Sequence, residues 1–168
     1  MKFWCYRRMD ILSPERRSQV MSSIRSKNTQ PEMRVRKALH AIGFRYRLHA
    51  KVIGSPDIYL PKYRAVIFIN GCFWHGHDCN LFKIPATRTE FWINKIQINR
   101  DRDEKIQQAL RSDGTRICIV WECALRGKGN KKFQFLIEAI QEWLLSGKNS
   151  ITFSNKWLAE NYQSTSSK

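Results

Sequence analysis

Several features are missing from this 168-residue chain, and each absence narrows what it can be. No run approaches the roughly 20 apolar residues that a membrane span requires. The opening residues, MKFWCYRRM, carry charge and aromatic rings but lack the apolar core, about 7–15 residues long, of a secretory signal. Met1 and Met9 are both candidate starts. The five cysteines are odd in number and grouped near histidines, which suits reduced thiols and a metal better than a disulfide framework. There are no internal repeats. Acidic residues are scarce, with 14 Asp and Glu against 30 Lys and Arg. A cytoplasmic protein without membrane contact is the expectation.

What is present is positive charge. The net charge of +16 points to a polyanion as partner, because such a surface attracts phosphate backbones and releases their counterions. Residues 1–50 hold 12 Lys and Arg against 3 Asp and Glu, more than half of the excess. The length suits one domain, large enough to bury roughly two-thirds of its unfolded surface.

Taken in order, Ser13-Pro14-Glu15 has the form of a helix start, with Ser as N-cap and Pro at the first helical position. The basic segment that follows, to residue 28, is a marginal helix alone and suits an arm reaching around a duplex. Thr29-Gln30-Pro31-Glu32 matches a capping box. Val35, Leu39 and Ile42 then define an apolar face, and Gly43 closes that helix. Phe44, Tyr46 and Leu48 alternate with Arg45, Arg47 and His49 and predict a strand. A second strand is expected over Asp57–Leu60, and a buried one over Ala65–Ile69 before Asn70-Gly71 breaks it. Residues 81–88 read as loop around Pro85. The longest helical pattern runs from Thr89 to Arg111, followed by a buried strand from Arg116 to Glu122. Phe133–Leu145 reads as an amphipathic closing helix. The expected organisation is a basic arm over 1–28, one domain over 29–147 and a loosely held tail over 148–168. Helices alternating with strands predict an α/β fold with a mixed β-sheet flanked by helices.

The most unusual stretch is GCFWHGHDC, residues 71–79. Cys72, Cys79 and one imidazole, together with the distant Cys123, offer three sulfurs and a nitrogen, the donor set of a tetrahedral Cys3His zinc site. His75 and His77 compete for the imidazole position, and spacing alone leaves both open. Free buried thiols are the competing reading, and the better one for Cys118 between Ile117 and Ile119. Asp57, at a strand entrance, is placed either to hold Mg²⁺ or to cap a turn. In nucleases of the PD-(D/E)xK type an Asp so placed binds the metal, and the next strand adds a carboxylate and a lysine. Here residues 65–75 contain no Asp, Glu or Lys. A hard cation can still be held by one carboxylate, a carbonyl and waters. The missing lysine leaves proton abstraction to another group, and a histidine suits it, with His75 in range. Glu32 is either a site group or only the capping-box partner. Phe73, Trp74 and Trp92 are either core residues or a wedge of the kind that prises base steps apart. Arg88 and Lys95 beside them are phosphate-binding types that would position the protein without reading sequence.

These residues together resemble the very-short-patch mismatch repair endonucleases, which nick DNA beside the T of a T:G mismatch. The similarity runs from about Ser13 to about Trp143. It is carried by GCFWHGHDC at 71–79, FKIPATRTEFW at 82–92 with Lys95, NRDRD at 99–103 and VWECALRG at 120–127. The resemblance implies a restriction-endonuclease-like core with a structural zinc on Cys72, His77, Cys79 and Cys123. It also implies His75 as general base and Asp57 as Mg²⁺ ligand. Phe73, Trp74 and Trp92 would enter from the major-groove side and Met21 from the minor groove, with Glu32, Asn99 and Asp103 as supporting groups near the metal. Where a histidine can sit in the family, just before Gly71, this chain has Asn70, which can bond a phosphate oxygen but cannot protonate. If that histidine helps catalysis, activity here is weaker or differently dependent on pH. Ile69 stands where a threonine can occur, a lesser change if only its carbonyl binds metal.

The expected function is thus a strand-specific, Mg²⁺-dependent DNA endonuclease cutting 5′ of the T in T:G mismatches, as a monomer, with repair proteins acting downstream. A nuclease for other modified, unpaired or foreign DNA is the alternative. A zinc-stabilised DNA-binding module without chemistry is a third reading.

Overall fold

The computed structural model describes residue 16 and residues 27–127 and 130–162. The expected arm, with its candidate helix start and Met21, lies otherwise outside the described residues. The first element in full view is α1, Gln30–Ala41. Thr29 is its N-cap, accepting from the Glu32 amide, and Pro31 sits in the first turn as the capping pattern predicts. The Glu32 carboxylate reaches back to the Asn28 amide at 2.9 Å and takes the Thr29 hydroxyl at 2.8 Å, so the cap is reciprocal but displaced by one residue.

Among the described residues four strands follow: β1 Ile58–Leu60, β2 Ala65–Asn70, β3 Arg116–Trp121 and β4 Ser150–Phe153. Their spatial order is β1-β2-β3-β4; β1 runs antiparallel to β2, and β2, β3 and β4 are parallel. The sheet is mixed, as expected. Each parallel step needs a helical crossover. The helix α2, Thr89–Ser112, supplies the first, and α3, Asn130–Ser146, the second.

Side-chain alternation sends the two faces of β2 and β3 to different neighbours. Ile67, Cys118 and Val120 join Val35 and Leu39 of α1 and Leu136, Ile140 and Trp143 of α3 in the main core. Val66 and Ile117 pack instead with Leu110 of α2, flanked by Phe68, Ile106 and Ile119. The α2 contact ends near Ile106, leaving the carboxyl ends of β2 and β3 uncovered on that side. Asn70 and Trp121, paired in the register, mark those ends.

Two expectations need correction. The alternating segment 44–48 is not a strand. Only Arg47 pairs, bridging Tyr59 on the outer edge of β1. Phe44 turns inward against Tyr63, and left-handed backbone at His49, Gly54 and Ser55 carries the chain away before a ladder can form. The expected loose tail over 148–168 is instead anchored as far as Tyr162. Residues 150–153 form β4 beside β3, and α4, Asn155–Tyr162, follows. Phe153 is fully buried and packs edge-on against Trp157. Four residues of period-two pattern are too few to stand out in a polar stretch; their burial comes from partners distant in the chain. Phe153→Ala should lower unfolding free energy by about 3–5 kcal/mol in a urea titration. A loosely held tail would leave it unchanged. No helix among the described residues is long and apolar enough to cross a membrane.

Candidate active site and metal centre

The uncovered ends of β2 and β3, the α2 flank and the start of α1 enclose an open cleft of about 940 Å³. Its walls carry Glu32, Asp57, Asn70, His75 and Asp103, five residues singled out from the sequence. Asp57 stands just before β1, and its Oδ2 accepts the Ile69 amide of β2 at 2.7 Å. That bond crosses from one strand entrance to the end of the next and fixes the carboxylate. Burial pushes the Asp57 carboxyl up to about 6, against the lowering effect of that amide. Glu32 pushes the same way, while Arg36 and His75 oppose it. A partly buried carboxylate with one amide partner is under-compensated and suits a cation. A hard divalent cation needs few protein ligands, because it keeps much of its water.

Glu32 does more than cap. Arg36, one turn on, donates to Glu32 Oε2 at 3.0 Å, to the Asp57 carbonyl at 3.0 Å and to Asn28 Oδ1 at 2.7 Å. Both Arg36 and Glu32 are buried. The helix start, the site carboxylate and the strand entrance are therefore held by one guanidinium. The i,i+4 spacing of Glu32 and Arg36 was visible in the sequence; that Arg36 reaches Asp57 was not.

His75 lies opposite, on the loop after β2. Its Nδ1 is hydrogen-bonded to Asp103 Oδ2 of α2. In a neutral imidazole this fixes the proton on Nδ1 and leaves Nε2 as acceptor. Trp121 lies edge-on at 6.2 Å and packs beside the ring. Asn99, one turn before Asp103, donates to the Trp74 carbonyl at 2.8 Å. The sequence suggested both as supporting groups, and both hold the loop.

The structure separates the two histidines. His77, not His75, joins Cys72, Cys79 and Cys123, and the four donor atoms lie within 4.8 Å of one another. A tetrahedral zinc with bonds near 2.3 Å to sulfur needs donor separations of roughly 3.8 Å, so small adjustments close the set. Burial pushes the Cys72 and Cys123 thiols up and the His77 imidazole down. Thiols held in so poor a place for charge need a cation to exist as thiolates, and a neutral imidazole is ready to ligate. His77 also stacks on Trp121 with centroids 4.1 Å apart. Cys118 is apart in the core, fully buried, its thiol pushed up by burial, and belongs to packing.

At the cleft mouth, Phe73, Trp74 and Trp92 meet edge to face, with centroids 5.2, 5.2 and 6.1 Å apart. Phe91, which the sequence placed only in the helical pattern, extends the group at 5.3 Å from Trp92 and is 47% exposed. Arg88 lies over the Phe91 ring at 4.6 Å, and Lys95 is exposed one turn further along α2. Arg88 and Lys95 stand outside the cleft proper, beside the rings.

Set beside known proteins, residues 9–81 match the family model described as DNA mismatch endonuclease Vsr. The DNA mismatch endonuclease Vsr of Escherichia coli (strain K12) is 43% identical over 136 residues, covering 80% of this chain and 87% of its own length. The type II nicking enzyme V.XorIIP of Xanthomonas oryzae pv. oryzae is 50% identical over 121 residues, 71% of this chain and 89% of its own. V.NmeAIP of Neisseria meningitidis, also a type II nicking enzyme, is 49% identical over 120 residues, 71% of this chain and 86% of its own. Among solved structures, the catalytic domain of the homing endonuclease I-Bth0305I superposes with a TM-score of 0.48 at 21% identity, covering 71% of this chain and 98% of that one. The sequence relatives define a class, enzymes that hydrolyse phosphodiester bonds within DNA. Within it, the chain belongs to the Vsr family of DNA mismatch endonucleases.

Proposed function

We propose that this DNA endonuclease nicks one strand of a duplex 5′ of the T in a T:G mismatch, with Mg²⁺, as the incision step of very-short-patch mismatch repair. The observation that carries the reading is the His75–Asp103 pair facing the Asp57 carboxylate across one cleft, with an aromatic cluster at its mouth. Asp103 holds His75 so that Nε2 is free to take a proton from the attacking water. Asp57 and the backbone near Ile69 would hold Mg²⁺, which supplies charge stabilisation at the scissile phosphate and its leaving oxygen. Asn70 lines the same cleft and can donate a hydrogen bond to a phosphate oxygen. The products are a 3′-hydroxyl and a 5′-phosphate.

Selection falls to the aromatic residues. Phe73, Trp74 and Trp92 enter beside the mismatch, where opening costs less than at a paired step. Arg88 and Lys95 contact the flanking phosphates and set the register of the protein on the duplex. Met21 would meet the opposite groove. Cys72, His77, Cys79 and Cys123 hold zinc behind the loop, in a structural role that leaves His75 free. The enzyme works as a monomer in the cytoplasm, and repair proteins act on the nicked product.

The test is nicking of a 5′-labelled T:G duplex with Mg²⁺, beside the matched duplex and beside His75→Ala. Cutting of the T strand alone, only when mismatched, and slowed by about 10²–10⁴-fold in the variant is expected. Equal cutting of both duplexes would reassign the substrate to other DNA. Binding without any cutting would leave a zinc-stabilised DNA-binding module.

A further inference from the structure

The loop that carries His75 is gripped from α2 at three consecutive carbonyls. Asn99 takes that of Trp74, at 2.8 Å. Arg100 Nε takes that of His75 at 3.1 Å, and Arg100 Nη2 bonds to that of Gly76. One guanidinium fork thus holds two successive carbonyls, those of His75 and Gly76. Planar, fixed-angle donors suit that task, and a lysine offers only a single point of attachment.

The loop is built to allow this approach. Gly76 has φ +59, in the left-handed region. A Cβ there would stand 2.6 Å from Ile96 Cγ2 and 3.0 Å from Arg100 Nε and Nη2. The glycine therefore makes room both for the turn and for the guanidinium pressed against it. Asp103, three residues after Arg100 on the same helix, fixes the His75 ring. Side chain and backbone of His75 are then held by one helix, by two separate residues.

We propose that Arg100 is a positioning residue for catalysis, which clamps the His75 and Gly76 carbonyls and so sets where the His75 imidazole stands in the cleft. This rests on the proposed function for its catalytic consequence. Arg100 stands two turns beyond Trp92 on α2, and its exposed guanidinium is bonded to the loop. Its effect is on turnover and not on DNA affinity. Without the fork, the loop remains tethered by Asn99 on one side and by the Cys/His cluster on the other, and the His75 ring is held through Asp103 alone, with its backbone free to shift. A displacement of about 1 Å at a reacting group costs up to about 10²-fold in rate.

The experiment compares Arg100→Ala and Arg100→Lys with wild type in zinc-replete protein, by two readouts. Hydrogen exchange at amides 74–77, measured without DNA, reports the clamp itself. Single-turnover and steady-state nicking of the T:G duplex report its consequence. Expected are faster exchange in both variants, kcat lower by about 10–100-fold, and KM within a few-fold of wild type. Arg100→Lys, which keeps the charge, should resemble Arg100→Ala. Full rescue by lysine, or a weakened affinity whose salt slope falls by about one with kcat intact, would make Arg100 a phosphate contact and overturn the proposal. Unchanged exchange at 74–77 would also overturn it. Should wild type fail to nick the T:G duplex, the proposed substrate falls, and the exchange readout still decides for or against the clamp.

Discussion

Asp57→Asn is expected to abolish nicking and, at pH 8 without added Mg²⁺, to make the protein harder to unfold. Both results follow from one carboxylate. In the folded protein burial pushes Asp57 up to about 6 from an ordinary value of 3.8. The folded state therefore holds this proton more tightly than the unfolded chain does. Well below 3.8 both states are protonated and the shift costs nothing. As pH rises to 6 the unfolded chain ionises first, and stability is lost; above 6 the penalty is complete. The shift corresponds to at most about 3 kcal/mol, and discounting for partial exposure leaves about 1–2 kcal/mol. Asparagine keeps the oxygen that accepts the Ile69 amide and removes the charge. Urea midpoints at pH 8 should accordingly rise in the variant, and the two proteins should converge as pH falls below 3.8. Adding Mg²⁺ should stabilise wild type alone. A variant less stable than wild type at pH 8 would show that the carboxylate is not the strained group.

Removing zinc has the larger expected effect on stability. The proposed ligands join the loop at 72–79 to Cys123, just beyond β3, and the Asn155 amide donates to Cys123 Sγ at 3.4 Å. One cluster thus connects the catalytic loop, the third strand and the entry to α4. Structural zinc contributes about 10–16 kcal/mol in domains that have little else. Here the apolar core persists without it, so a smaller loss, about 5 kcal/mol, is expected on chelation or in Cys123→Ser. In a chain of this size that lowers Tm by about 10–20 °C. Cys118→Ala should retain one zinc per chain, since its thiol lies apart in the core. Metal content and thermal melts by circular dichroism decide the matter. A chelated protein melting with the untreated one would remove the cluster from any structural role.

The sequence was most legible where chemistry and local geometry coincide. Thr29, Pro31 and Glu32 announce a helix start because capping is satisfied within four residues. The apolar runs at 65–69 and 117–121 are packed on both faces over their first halves and read as strands for that reason. Cys72 and Cys79 beside two histidines marked a candidate metal site; spacing left His75 and His77 open, the family resemblance pointed to His77, and the fold brings His77 to the thiols. It is the distant Asp103 that claims His75 and the stacking on Trp121 that turns His77 to the thiols. Arg36 and Arg100 were invisible for the same reason. An arginine among thirty cations gives no sign that its guanidinium is bonded to a carbonyl far away in the chain. The strand β4 was missed because only Ile151 and Phe153 mark it, and its burial is decided by β3.

The sheet ends in its two shortest strands, three residues in β1 and four in β4. Unpaired strand edges are templates on which a second chain can add, and their danger grows with length. On the β1 side even part of that short edge is taken, by the Arg47 bridge to Tyr59. Long ladders are confined to the interior, where β2 and β3 pair along six residues with both neighbours in place. A chain concentrated for assay is thereby guarded against fibrillar association by geometry, and by the mutual repulsion of its +16 charge while salt is low.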